Sequence, residues 1–442
     1  MSAIHERPAE LLQQLLRFDT TNPPGNEAAC VQHIAGLLAA QGIDSQRFTR
    51  VEGRPNLLAR LPGAGKAPPL LLYGHVDVVT AADQRWTHPP FAGVIADGCV
   101  WGRGALDMKG GVAMMIAACL RARAEGLTPP GDVLLLVLAD EEVGGRHGAG
   151  YLVNEHPDRF AGVRYAIGEV GGYTTFLKGR KYYPVQIAEK SGCGTMAIFR
   201  GPGGHGSMPL RGGAMAQLGR ALQTLDRNRL PPHITPGVRL MIEALAAPLP
   251  ADEKAQLLRL LDPAQTDATL DELGDFGRWL EPLLHNTFNA TIVQGGHKSN
   301  VVPSEVRLRL DVRILPGQTC VDVHAELRDL LGPDVELELQ PMGGKGVSPE
   351  SPDMGLFATL AAILRQADPD GFPVPCVTAA GTDGRFFSKL GIQTYGFLPM
   401  NLPPDIEFMS ALHAADERIP VDSMNFGADA MYQLLQRFGE AE

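Results

Sequence analysis

The stretch Pro69-Leu70-Leu71-Leu72-Tyr73-Gly74-His75-Val76-Asp77 constrains this chain more than any other. Its short apolar run is the kind that makes a strand buried on both faces, as in sheets covered by helices. It ends in a histidine and a carboxylate two residues apart. In extended backbone, positions i and i+2 point to the same side, so His75 and Asp77 address one object. A metal ion suits that pair: the imidazole ligates, and the carboxylate holds the other ring nitrogen and fixes the tautomer. A lone His-x-Asp arises often by chance, so this reading depends on further ligands at other strand ends.

They are present. A glycine-rich turn, Gly102-Arg103-Gly104-Ala105-Leu106-Asp107-Met108-Lys109-Gly110-Gly111, opens a helix expected over Val112–Glu125 and offers Asp107 at its start. The turn fits neither the dinucleotide nor the P-loop pattern. Val133–Leu138 is the clearest buried strand, and Asp140-Glu141-Glu142 follows it; three adjacent acids there are costly unless a cation is near. Tyr165–Gly168 is followed by Glu169. In α/β sheets, ligands collect outside the carboxyl ends of strands, where these acids fall.

From about Lys190 the pattern changes. Strands with period-two alternation are expected at Thr195–Phe199, Ala290–Gln294, Glu305–Ile314 and Val335–Leu339, with helices at Ala214–Leu225 and Val321–Leu331. Pro231–Leu284 reads as short helices, and beyond Pro349 the α/β pattern returns. The expected architecture is α/β, a mostly parallel-sheet core (residues 1–189 and 349–442) with an inserted ferredoxin-like α+β lid (190–348). A chain of 442 residues is too long for one ordinary core, which agrees. A net charge of −11 argues against nucleic acid or an anionic membrane as the partner. No apolar run reaches the roughly 20 residues of a membrane span, and the first residues lack a signal-peptide profile, so a cytoplasmic protein is expected. The six cysteines are scattered with no C-x-x-C pair and read as buried reduced thiols.

His75-x-Asp77, the Gly-Arg-Gly-Ala-x-Asp107-Met-Lys-Gly run, Glu141-Glu142, Glu169 and His413 stand in the order and rough spacing of a known group. The sequence resembles the co-catalytic di-metal peptidases and deacylases that include acetylornithine deacetylase, succinyl-diaminopimelate desuccinylase, aminoacylase and glutamate carboxypeptidase. The resemblance implies that His75 and Glu169 hold one metal, Glu142 and His413 the other, and that Asp107 bridges them. Asp77 would orient His75, and Glu141 would serve as general base; a neighbour's side chain on an extended turn diverges from it, leaving Glu141 free for proton transfer. The peptide after the bridging aspartate is typically cis in that family, which marks Asp107–Met108.

In the lid, His205 matches a histidine presented to the substrate carbonyl, often across a dimer. Asn300, Arg313 and Thr382 match segments around a substrate carboxylate. Carboxylates with imidazoles and no thiolate suit two exchangeable divalent ions, zinc first, with cobalt or manganese as alternatives. The implied activity is hydrolysis of the amide bond of an N-acyl-amino acid or small carboxylate-bearing peptide, in a homodimer joined through the lid. A di- or tripeptidase is the alternative, and a non-catalytic metal- or ligand-binding homologue a more distant one. Glu141 favours the enzyme, since a protein without turnover has no use for a free acid beside the ligands.

Overall fold

The computed structural model describes residues 3–333, 335, 337–342 and 348–441. The chain divides into two units, one of Met1–Ile187, Asp353–Cys376 and Thr382–Glu442, the other of Ala188–Pro352 and Val377–Gly381.

The first unit is built on a mixed sheet. Its order is Ser45–Thr49, Pro55–Leu61, Val133–Leu138, Leu70–His75, Tyr165–Gly168, Gln393–Gly396, Arg180–Glu189 and Phe372–Thr378, with Thr175–Leu177 beside Arg180–Glu189. The parallel pairings join the four strands from Val133–Leu138 to Gln393–Gly396. Antiparallel pairings flank them, so the sheet expected to be mostly parallel is mixed, with its described parallel pairings in the middle.

Alternation along the central strands sends side chains into two separate cores. Leu70, Leu72, Val133, Leu135 and Val137 face one, with helices Pro8–Leu16, Ala28–Ala40, Lys109–Ala124 and Val421–Arg437. Leu71, Tyr73, Leu134, Leu136 and Leu138 face the other, with Leu152, Phe160 and Phe387. Covered on both sides, Leu70–His75 is buried at every position, which is why it shows no polar alternation. Lys109–Ala124 is likewise buried nearly all round; Lys109 itself, 0 % exposed, donates to the Phe18 carbonyl at 2.8 Å.

The second unit carries an antiparallel sheet in the order Thr287–Gln294, Glu305–Ile314, Thr195–Arg200, Leu337–Pro341. Helices Ala214–Arg227 and Cys320–Leu331 close its core, and four helices between Pro236 and Leu284 form the long insert. Glu305–Ile314 alternates buried and open residues as a one-sided strand should. One expectation is corrected here: Cys193 and Cys320 are joined in a disulfide, and only Cys30, Cys99, Cys119 and Cys376 are buried thiols outside any disulfide. The pairing spans 127 residues of sequence, and only the folding of this unit brings the Cys320 helix start against Cys193, so spacing gave no sign of it. Among the described residues no helix is long and apolar enough to cross a membrane.

Candidate metal centre

All the candidate ligands but His413 sit at or just past a strand end or at a helix start. His75 ends the central strand, Asp107 precedes the helix at Lys109, and Glu169 follows Tyr165–Gly168. Glu141 and Glu142 open a single 3₁₀ turn after Val133–Leu138, and His413 lies in the loop before Arg418–Pro420. Three of these turns hold a non-glycine residue in the left-handed region: Asp140 (φ 74°), Val170 (φ 65°) and His413 itself (φ 60°). That conformation is costly for a β-branched residue such as Val170 and tends to occur where function over-determines the backbone. The Asp107–Met108 peptide is cis.

Two groups of donor atoms result, each within 4.8 Å: His75, Asp107 and Glu169, and Asp107, Glu142 and His413. His75 Nε2 stands 3.0 Å from Asp107 Oδ1 and 3.3 Å from Glu169 Oε2. His413 Nε2 stands 3.2 Å from Asp107 Oδ2 and 3.4 Å from Glu142 Oε2. Asp107 thus offers one oxygen to each group. Glu142 Oε1 is buried with no hydrogen-bond partner, a lone pair left over for a cation. Hard oxygen donors with one imidazole on each side fit two divalent ions.

The surroundings are strongly charged. Burial pulls the His75 imidazole down, but Asp107, Asp77 and Glu169 outweigh it and hold it well above its ordinary value. Asp107 and Glu142 raise His413 to about 10. Asp107 is depressed, its burial overcome by the two imidazoles. Glu141 is pushed well above the carboxylate range by burial first, then by Glu169 and Asp383, with His75 and Arg385 opposing. The Arg385 guanidinium lies 3.7 Å from Glu141 Oε1.

Asp77 plays two parts. Its main-chain carbonyl accepts from His75 Nδ1 at 2.9 Å, while its carboxylate oxygen is 3.5 Å from that nitrogen. The carboxylate instead caps the acidic turn, taking the N–H groups of Glu141 and Glu142 at 3.2 Å each and Asn22 Nδ2 at 2.8 Å. The histidine's tautomer is therefore fixed mainly by a backbone oxygen, and the carboxylate holds Glu141 and Glu142 together on one turn.

Sequence reasoning missed the next layer out. Asp140 accepts from Arg54 (2.9 Å), Asn22 (3.4 Å) and the His147 N–H (2.9 Å), and Arg54 also grips Glu27. Arg103 and Glu417 form a second buried pair, 2.7 Å apart. Asp383 is buried with neither oxygen hydrogen-bonded, and burial lifts it to about 7. Arg54 lies 27 positions from Glu27 and 86 from Asp140, and Arg103 lies 314 from Glu417, so only the positions in or beside a motif (Arg103, Asp140, Asp383, Glu417) carried any sequence signal.

Within the second unit, His205 and Asn300 come together: Gly204–His205 pairs with Val301–Val302, and the Gly206 N–H donates to Asn300 O at 2.8 Å. Both residues are exposed, and His205 Nδ1 is engaged with Ser207 Oγ at 2.8 Å. Arg313 lies on Glu305–Ile314 and pairs with Asp311 on the same strand at 2.8 Å. Thr382, in the first unit, is buried and accepts from the Gly384 N–H at 3.0 Å, stiffening its turn.

Residues 71–437 match the model of peptidase family M20/M25/M40. The chain is 30% identical over 436 residues to a succinyl-diaminopimelate desuccinylase of Paracoccus denitrificans, covering 98% of each. It is 27% identical over 396 residues to a probable carboxypeptidase S-like 2 of Dictyostelium discoideum, covering 83% of this chain and 71% of that one. Its fold matches the crystal structure of an M20 family metallo-carboxypeptidase from Sulfolobus solfataricus with TM-score 0.67 at 18% identity, over 98% of this chain and 99% of that one.

Proposed function

The chain belongs to peptidase family M20/M25/M40 and is a hydrolase, and from that premise we propose that it cleaves the amide bond of an N-acyl-amino acid or small carboxylate-bearing peptide. One observation carries the reading: two donor groups share Asp107, and Glu141, which belongs to neither, stands beside them with its proton affinity raised. We assign His75 and Glu169 to one divalent ion, Glu142 and His413 to the other, and Asp107 to both. When bound, two such ions polarise the substrate carbonyl and make water a stronger acid; zinc is proposed, with cobalt or manganese as alternatives.

The protein's own part is proton management and placement. Glu141 takes the water's proton and hands it to the departing amine, and its raised affinity suits both halves of that exchange. Asp77 fixes the turn that carries Glu141 and holds His75 in one tautomer. Residues 190–348 are proposed to act as a ferredoxin-like lid, supported by their strand–helix–strand, strand–helix–strand order and antiparallel sheet. From it His205 would stabilise charge on the carbonyl oxygen, and Asn300 and Arg313, with Thr382 of the core, would meet the free carboxylate. A homodimer through the lid is supported by the edge strand Thr287–Gln294, open over Asn289–Gln294 with Ile292 and Val293 half exposed. A cytoplasmic setting is part of this reading, and there the Cys193–Cys320 bond would meet reducing thiols. Deacylase action is preferred over dipeptidase action for the glutamate at position 169, the form the resemblance associates with deacylases and carboxypeptidases.

The test is hydrolysis of a panel of N-acyl amino acids, their carboxamides and dipeptides, with zinc, cobalt or manganese and after chelation. Acids should be cleaved faster than amides, chelation should stop turnover reversibly, and Glu141→Gln should lose about 10²–10⁴ in kcat with metal content unchanged. Equal rates for acid and amide would remove Arg313 and Asn300 from the site. Undiminished turnover in Glu141→Gln would place the base elsewhere.

A further inference from the structure

Glu417, four residues past His413, is 1 % exposed, yet its carboxylate is fully engaged. Oε2 accepts from Arg103 Nη1 at 2.7 Å and from the Gly104 N–H at 3.1 Å. Oε1 accepts from the N–H groups of Leu106 at 2.7 Å and Asp107 at 3.1 Å. The whole turn that delivers Asp107 is therefore wrapped round one carboxylate from the C-terminal loop.

Arg103 reaches back the other way. Its Nη1 donates to Ala414 O and its Nη2 to His413 O, each at 3.1 Å, and Nη2 also to Gln84 Oε1 at 2.7 Å. Gln84 completes the ring by donating its Nε2 to the same His413 carbonyl at 2.8 Å. His413 sits in the left-handed region with its side chain half exposed, so its position depends on what grips its main chain. His75, by contrast, is fixed inside the central strand. A buried ion pair gives little net stability over a well-packed apolar pair, and its best-attested use is to impose geometry.

We propose that Arg103, Glu417 and Gln84 form a positioning clasp that sets the Asp107–His413 separation and thereby governs metal affinity at the Asp107–Glu142–His413 group selectively. The inference rests on the two-metal reading above. None of the three residues is a ligand. They act through the backbone of two ligands: Gln84 and Arg103 grip the His413 carbonyl, so loosening them frees His413 while His75 stays in the central strand.

The experiment is cobalt titration of metal-stripped protein, followed by calorimetry and by the visible absorption of each added equivalent, for wild type, Gln84→Ala, Arg103→Lys and Glu417→Gln. Wild type should bind in two steps. In the variants the weaker step should loosen by about 10–100-fold, the usual worth of residues behind a metal ligand. In Gln84→Ala the tighter step should stay within about threefold, with the spectrum of the first equivalent unchanged, whereas Glu417→Gln also releases the Asp107 N–H shared by both groups and should loosen both steps. Gln84 is half-buried at the surface, so its truncation decides the matter even where a change at Arg103 or Glu417 prevents folding. Equal loosening of both steps in Gln84→Ala, or of neither, overturns the clasp. A wild type that binds fewer than two equivalents removes the two-metal reading itself, a distinguishable failure.

Discussion

Replacing Arg54 by methionine tests how the acidic turn is supported. Arg54 is 7 % exposed and donates to both oxygens of Glu27 and to Asp140 Oδ1. Methionine fills similar space without charge, and Asp140 keeps the His147 N–H and Asn22. Glu27 keeps nothing comparable. Burial already raises its pKa above 4.5 with Arg54 opposing, and without Arg54 it rises further. Breaking a buried pair from one side costs about 3–5 kcal/mol. The carboxylate escapes part of that by taking a proton, which from an ordinary value of 4.5 costs about 3.4 kcal/mol at pH 7 and about 1.4 kcal/mol at pH 5.5. The sign follows: a group whose folded pKa is raised loses stability as pH climbs above its unfolded value. Urea unfolding of the metal-free protein should show a deficit of about 3 kcal/mol at pH 7 that shrinks by about 2 kcal/mol at pH 5.5. A deficit under about 1 kcal/mol at pH 7, or one equal at both pH values, would refute the argument.

Lys190 gives a second handle, in the inserted unit. It donates to the Pro282 and His285 carbonyls and to Thr287 Oγ1, and burial followed by Arg313 lowers it to about 7 from 10.5. Between those values the unfolded chain holds a proton the folded one lacks, so wild-type stability should rise with pH across that window and Lys190→Met should flatten the rise; parallel curves would sink this. The same variant should lose roughly 2–4 kcal/mol in denaturant titration near pH 7, because two buried carbonyls are left unpaired. If the proposed dimer forms, an inactive His205→Ala chain mixed with an inactive Glu141→Gln chain under subunit exchange should regain part of the wild-type rate. No recovery in a mixture shown by mass to contain heterodimers would place His205 in its own chain's site or outside catalysis.

Much of the core was legible because each ligand-bearing strand is short, apolar and buried on both faces, which leaves Leu70–His75 and Val133–Leu138 unmistakable. The Glu141–Glu142 pair stood out for the same reason, as acids abutting apolar sequence. Phe372–Thr378 did not, since prolines at 373 and 375 disguise a strand that ends the sheet order, where missing donors are tolerated. Arg54 reads as a loop cation between Gly53 and Pro55, and only folding places it on an acid 86 residues away. Thr382, read as a substrate contact from its motif, also accepts from the Gly384 N–H of its own turn, a local bond that composition does not separate from recognition.

The Cys193–Cys320 bond closes the intervening polypeptide into a covalent circle that includes His205, Asn300 and Arg313. A protease that nicks the helical insert between Pro236 and Leu284 would not release a fragment. Both ends would stay tethered, the nicked chain would run at full mass without reductant, and two pieces would part only after reduction. Wear in this segment is thus silent under oxidising conditions and becomes loss of substance when the circle opens.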